Sequence, residues 1–178
     1  AIGDERFGKR PSDGFGPTTG ARAISILFNN SDFSRLEKIS AVTFDSGEII
    51  TSRINSLNAK LIVLLSHRLG LDSFDIARYK PTLLALFKHP FFQGISSGES
   101  VASAYYFFAA SEDYLYYMDP HTVQAPLLDV NNLSNPPRVL KMHWSRLNPS
   151  ICLGFFVKSR AEFDQLCATL LQLDPELF

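Results

Sequence analysis

Residues 103–121 read "SAYYFFAASEDYLYYMDPH", and the fold turns on how this stretch is read. Two aromatic runs of strand length flank Ser111, Glu112 and Asp113. Aromatic side chains suit a pleated, half-buried surface, and a short polar cluster between two such runs is the pattern of a β-hairpin. The second run ends in Asp119, Pro120 and His121, with Thr122 and Gln124 beyond. Two titratable groups two residues apart at the end of a core strand raise the question of a site.

Working outward toward the C-terminus, residues 122–138 carry Asn131, Asn132, Asn135, Pro136 and Pro137, which mark a surface loop. "SICLGFFVK" at 150–158 is a buried strand. Ser159 with Glu162 three residues later makes a capping box, and Phe163, Leu166, Cys167, Leu170 and Leu171 follow at helical spacing to the end. Toward the N-terminus, residues 73–88 read as a helix with Ala77, Leu84 and Phe87 on its apolar side. Pro81 either starts that helix or kinks it. "KLIVLLSHRLGL" at 60–71 is a continuous apolar run, expected as a strand buried on both faces. "AVTFDSGEIIT" at 41–51 places two β-prone runs around Asp45, Ser46 and Gly47 and predicts a hairpin. Pro17 opens a helix over 17–28, because its missing N–H would be unpaired there in any case. Residues 1–16, polar and rich in Gly and Pro, read as an extended arm or linker ahead of one domain at 17–178. Strands and helices mix without alternating, so the expected class is α+β around a mixed, mostly antiparallel sheet with flanking helices.

Composition narrows the function classes. The chain has 178 residues, 46% of them hydrophobic and 15 of them Phe, enough for one sizeable core. Its 17 basic and 18 acidic residues nearly cancel, and no basic run tracks phosphates, which argues against nucleic acid. The longest apolar stretches fall far short of the roughly 20 residues of a membrane span. The charged, Gly-rich start has no secretory h-region. Cys152 and Cys167 both sit in apolar surroundings, so no disulfide framework is indicated and a reducing, cytoplasmic setting fits.

Asp119 and His121 are the leading site candidates. In an extended chain residues i and i+2 share a face. An aspartate accepting the Nδ1 proton of a histidine fixes its tautomer and leaves Nε2 to take a proton from a nucleophile. The competing reading is a strand ending in an ordinary Asp-Pro turn. A nucleophile is harder to find. Apolar neighbours would raise the pKa of both cysteines and leave them inert, and no Gly-x-Ser-x-Gly motif follows a strand. His67 follows a buried strand, His89 stands at a helix end where a cation would suit the dipole, and His143 beside Trp144 lies in a segment placed over the site. These histidines and cysteines lack metal-ligand spacing, so neither a metal nor a cofactor is expected. "GISSGES" at 94–100 has no Lys and no following helix for a phosphate loop; it reads as a loop beside Asp119, either gating access or merely connecting.

Several of these residues together resemble a known family. "SAYYFF", "DYLYYMDPHTVQ" and "LNPSICLGFFVKSRAEFDQLC" are similar to segments of the autophagins, cysteine endopeptidases in which a Tyr-Phe strand leads to Asp-Pro-His-Thr-x-Gln and an Asp-Pro-Ser segment precedes a Gly-Phe-Phe strand. "KRPSDGFGPTTGARAI" resembles the family's Arg-Pro-Gly-Glu-Trp-Phe-Gly-Pro segment, and "LIVLLSHRLGL" its central strand. The resemblance implies a papain-like fold and cleavage after the C-terminal glycine of a ubiquitin-like autophagy modifier, both to prime it and to release it from phosphatidylethanolamine. Contact with membranes would then be peripheral, through the lipidated modifier. His121 becomes the general base and Asp119 its orienter. The family's nucleophilic cysteine lies N-terminal to every match, so an N-terminal segment joins the modifier as an expected partner. Phe15, Gly98, Glu99 and Ser100 fall where the family holds its substrate tail. There the sequence departs from the pattern: a tryptophan is replaced by Gly14, and Gly-Gly-Lys-Pro by Ser97, Gly98, Glu99 and Ser100. Two other readings stay open, a catalytically inactive modifier-binding homologue and a papain-like hydrolase that uses Cys152 or Cys167.

Overall fold

The computed structural model describes residues 8, 16–45, 47–54, 60–100, 103–121 and 139–178. Apart from Gly8 and Gly16 the expected arm lies outside them, as does the expected loop over 122–138. Helix α1 (Pro17–Asn29) begins with Pro17 in its first turn, and the backbone N–H of Asn30 closes its C-terminus on Ile26 and Phe28. A short helix α2 (Asp32–Glu37), capped by Ser31, then leads into strand β1 (Ile39–Phe44). Strand β2 (Lys60–Arg68), helix α3 (Ile76–Leu86) and strand β3 (Phe92–Ser97) follow. Strands β4 (Tyr105–Ala110) and β5 (Tyr114–Met118) form the aromatic hairpin expected from the sequence. The chain closes with β6 (Leu140–His143), β7 (Ser150–Val157) and helix α4 (Arg160–Leu173).

The seven strands make one sheet in the order β1-β2-β7-β3-β4-β5-β6. Only β1 and β2 run parallel; the other pairs are antiparallel. This is the α+β, mixed-sheet class read from the sequence, and it fits a papain-like fold. One sheet face carries the core, where Val63, Leu65, Ile95, Phe107, Leu115 and Phe155 are fully buried, as are Leu83 and Leu86 of α3 and Phe163 and Leu166 of α4. On the other face α1 lies against β1. The Asn29 amide donates to the Ala41 carbonyl at 2.8 Å and accepts the Ala41 N–H at 2.7 Å. A side-chain amide thus completes the hydrogen bonding of an edge strand that would otherwise leave backbone groups unpaired.

Several sequence expectations need correction. The hairpin over 41–51 does not form: β1 pairs in parallel with β2, Ile39 opposite Lys60 and Phe44 opposite Leu65. Parallel strands need a crossover of a dozen or so residues. Here the crossing segment includes a 3-10 turn at Thr51–Ile54 and buries Ile54. In β2, Leu61, Val63 and Leu65 are buried while Ile62 and Leu64 are only half-buried, so one face is covered more fully than the other. Helix α3 does not start at Pro81, which leaves the other reading, a helix that runs through the proline. Asp75 caps it by accepting the Arg78 N–H at 3.1 Å, and Pro81 lies inside. The cap and the burial of Thr82, Leu83 and Leu86 outweigh the one intrahelical bond that proline removes. Residues 94–97 of "GISSGES" belong to β3, with Ile95 fully buried. The sequence masks this because Gly94, at φ 132°, occupies an irregular step where β3 pairs with β7, and glycine at such a step looks like loop grammar.

The capping box of α4 is present as expected. Ser159 Oγ accepts the Glu162 N–H at 3.2 Å, and Glu162 Oε2 accepts the Lys158 N–H at 2.6 Å.

Candidate active site

Strand β5 ends at Met118, and the chain turns at once. Asp119 Oδ1 accepts two bonds, from the His121 backbone N–H at 2.9 Å and from His121 Nδ1 at 2.7 Å. The two side chains therefore meet through an aspartate-centred turn, not through the extended alternation read from the sequence. The turn is present, and it is what brings the two side chains together.

The chemistry follows from the acceptor. Hydrogen bonds from the His121 backbone, then from its ring, hold the Asp119 carboxyl below its ordinary pKa, so it is ionised near neutrality. An ionised carboxylate can only accept, so Nδ1 carries the proton and the Nε2 lone pair is left for another proton. The Asp119 side chain is 25% exposed and that of His121 57%. The pair sits at the surface.

Around it stand residues that the sequence reading did not single out. Tyr105 stacks on Tyr117 at 4.6 Å, and Tyr117 tilts against buried Phe107 at 5.4 Å. Burial first, then the charges of Tyr105, Glu99 and Asp119, raise the Tyr117 phenol, with Arg146 opposing them. Tyr105, whose ring lies 6.4 Å from that of His121, pairs with Ser97 of β3, so the 98–100 loop begins next to the residue that faces the pair. The alternation of Tyr105 with Phe107 and of Leu115 with Tyr117 could have put these rings on one face; nothing in the sequence marks Arg146.

The loop is tied at several points. Glu99 pairs with Arg146 at 2.5 Å, and the Gly98 carbonyl accepts the Asn148 N–H at 2.8 Å. Ser103 Oγ accepts the N–H groups of Glu99 at 2.9 Å and Ser100 at 3.0 Å. A Cβ on Gly98 would stand 2.1 Å from the Ser103 carbonyl oxygen, so the closure requires glycine. Phe15, Gly14, Thr122 and Gln124 lie outside the described residues.

Neither cysteine has the surroundings of a nucleophile. Burial pushes the Cys152 thiol up to about 11 and also raises Cys167, so both stay protonated near neutrality. His143 is on β6 opposite Tyr114, at the end of β5 remote from Asp119, and does not cover the pair. Burial favours neutral His89, whose Nδ1 accepts the Phe91 N–H at 3.3 Å; it is not the helix-end cation suggested by its position. Among the described residues no three His, Cys, Asp or Glu side chains converge on a metal position, and no helix is long and apolar enough to cross a membrane.

A model of the peptidase C54 catalytic domain matches residues 1–169. The chain belongs to the peptidase C54 family. Similar curated proteins include the cysteine protease ATG4 of Kluyveromyces marxianus, 31% identical over 172 residues. That match covers 92% of this chain and 38% of the yeast protein. The probable cysteine protease ATG4 of Candida glabrata is 31% identical, over 83% of this chain and 31% of its own length. The cysteine protease ATG4a of Arabidopsis thaliana is 37% identical, over 65% and 26%. This peptidase C54 chain therefore spans well under half the length of these relatives, and the β4–β5 hairpin with its Asp119–His121 turn lies inside the matched domain.

Proposed function

We propose that this chain is the base-bearing part of a thiol protease of autophagy, one that cleaves after the C-terminal glycine of a ubiquitin-like modifier. The observation that carries the reading is the 2.7 Å contact of His121 Nδ1 with Asp119 Oδ1. It engages Nδ1 and leaves Nε2 to take a thiol proton and return it to the leaving amine. His121 is the general base and then the general acid; Asp119 orients it and stabilises the imidazolium. The nucleophilic thiolate comes from polypeptide outside these 178 residues, since burial keeps Cys152 and Cys167 protonated. Gly98, Glu99 and Ser100, together with Phe15, hold the modifier's tail. A modifier released from lipid by the same reaction would bring the enzyme to membranes without a membrane span. The setting is cytoplasmic.

Family membership and the relatives' printed names support the protease class. The test is a chimera in which this chain replaces the 172 matched residues of the Kluyveromyces marxianus protein, assayed on a modifier carrying a C-terminal extension. Cleavage after the glycine is expected, and His121→Ala removes it. Modifier binding without cleavage would favour the inactive, modifier-binding homologue instead. Cleavage that survives His121→Ala would refute the assignment of the base.

A further inference from the structure

His121 presents a problem of orientation. More than half of its side chain is exposed, so packing on all sides does not fix the ring, and a single hydrogen bond to a partly exposed carboxylate leaves it free to swing. The turn fixes Asp119 through the His121 backbone N–H, but it does not fix the imidazole.

What meets the imidazole is Tyr105. It stands at the start of β4, opposite Ser97 of β3. Its ring contacts His121 at a centroid distance of 6.4 Å and an interplanar angle of 82°. That is the edge-to-face arrangement preferred by aromatic pairs. The other side of the same ring system is anchored: Tyr105 stacks on Tyr117 at 4.6 Å and 26°, and Tyr117 leans on Phe107, which is fully buried. The rings of Phe107, Tyr117, Tyr105 and His121 make one continuous line from the core to the pair.

From this geometry we propose that Tyr105 is a positioning residue for His121, its ring holding the imidazole in the orientation that keeps Nδ1 on Asp119. It acts through His121 and needs no contact with the reacting atoms. Only its catalytic consequence rests on the reading of His121 as the base; the orientation itself can be measured without any cleavage. The anchoring also explains why a tyrosine at the rim is half-buried: one face is held by Tyr117, and the remaining edge is available to the histidine.

The experiment is NMR on the chain as it stands. In the unsubstituted protein we expect nuclear Overhauser contacts between Tyr105 ring protons and the His121 imidazole, and an observable Nδ1 proton bonded to Asp119. Tyr105→Phe keeps both, because the ring remains. Tyr105→Leu keeps apolar bulk against Tyr117 but loses the ring, and the Nδ1 proton signal disappears into exchange while Trp144 fluorescence reports an intact core. In the chimera, Tyr105→Leu lowers kcat with KM unchanged and Tyr105→Phe restores it. An Nδ1 signal preserved in Tyr105→Leu would overturn the proposal. If that variant fails to fold, absence of the ring contacts in the unsubstituted protein overturns it and their presence upholds it. A chimera that never cleaves would refute the proposed function and leave these NMR readings to decide the role of Tyr105.

Discussion

His67 shows at the scale of one residue how burial sets chemistry. Its ring is packed edge-on against Phe178 at 5.4 Å, and its Nε2 is buried without a partner among the described residues. Desolvation, partly offset by the Asp174 charge, lowers its pKa to about 4. A histidine whose folded pKa lies below the unfolded value near 6.5 is stabilising while neutral. That contribution is complete above about pH 6.5 and is lost as pH falls toward 4, because the unfolded chain then binds the extra proton. The difference corresponds to about 3 kcal/mol. We therefore expect urea midpoints to fall steeply between pH 7 and 4.5, and His67→Leu to flatten most of that slope. A slope unchanged in His67→Leu would rule the account out. Asp119 behaves oppositely: its carboxyl is held below the ordinary carboxylate range, so what it contributes is lost only at more acid pH. The sequence showed that Asp119 and His121 could meet and favoured a structural role for both cysteines. It could not show Tyr105 against His121, because that contact depends on the register of β4 with β5, which no local pattern states.

At the scale of elements, α3 and the end of α4 are joined by a buried carboxylate. Asp174, 4% exposed, receives Arg78 through two bonds of 2.6 Å and the Thr82 hydroxyl at 3.0 Å. These bonds, Arg78 foremost, lower the Asp174 pKa despite its burial. Asp174→Ala would leave Arg78 with Glu176 at 3.2 Å and the Thr82 hydroxyl without this acceptor, and is expected to cost about 2 kcal/mol, measured as a shift in thermal midpoint. A loss under about 0.5 kcal/mol, the scale of an ordinary surface change, would contradict this. The elements themselves were unequally legible. The hairpin, β7 and α4 could be read because alternation, caps and turn residues all agreed. The β1–β2 pair was misread because Asp45, Ser46 and Gly47 look like a hairpin turn. The better signal was burial along β1, where Ser40 to Phe44 are all buried, as expected of a parallel strand covered on both faces. The short strands β3 and β6 went unseen, since Gly94 broke one pattern and only four residues made the other.

At the scale of the whole molecule the described residues are unevenly placed: α3 and α4 pack on one sheet face and α1 on the other. Strands β2, β3, β4 and β7 line an apolar cleft of about 370 Å³, with Ile62, Leu64, Tyr106, Gly154 and Phe156 among its walls. Ile24 and Leu27 of α1 and Phe108 of β4 are also exposed. Apolar surface gathered on one face is unusual for a protein that is monomeric in water. The isolated chain is accordingly expected to bind the dye ANS in its folded state, with near-ultraviolet circular dichroism intact. Dye binding absent from the folded chain would contradict that expectation; dye binding accompanied by loss of the near-ultraviolet signal would mean loosened packing instead. The proposed function rests on His121 as base and Asp119 as its orienter. The central claim concerns those two residues. It is tested most directly by kcat/KM of the chimera on an extended modifier, with His121→Ala and Asp119→Asn compared against the parent. The account predicts a fall of about 10²–10⁴-fold or more for His121→Ala and a clear loss for Asp119→Asn, and retention of parental activity by both variants would contradict it.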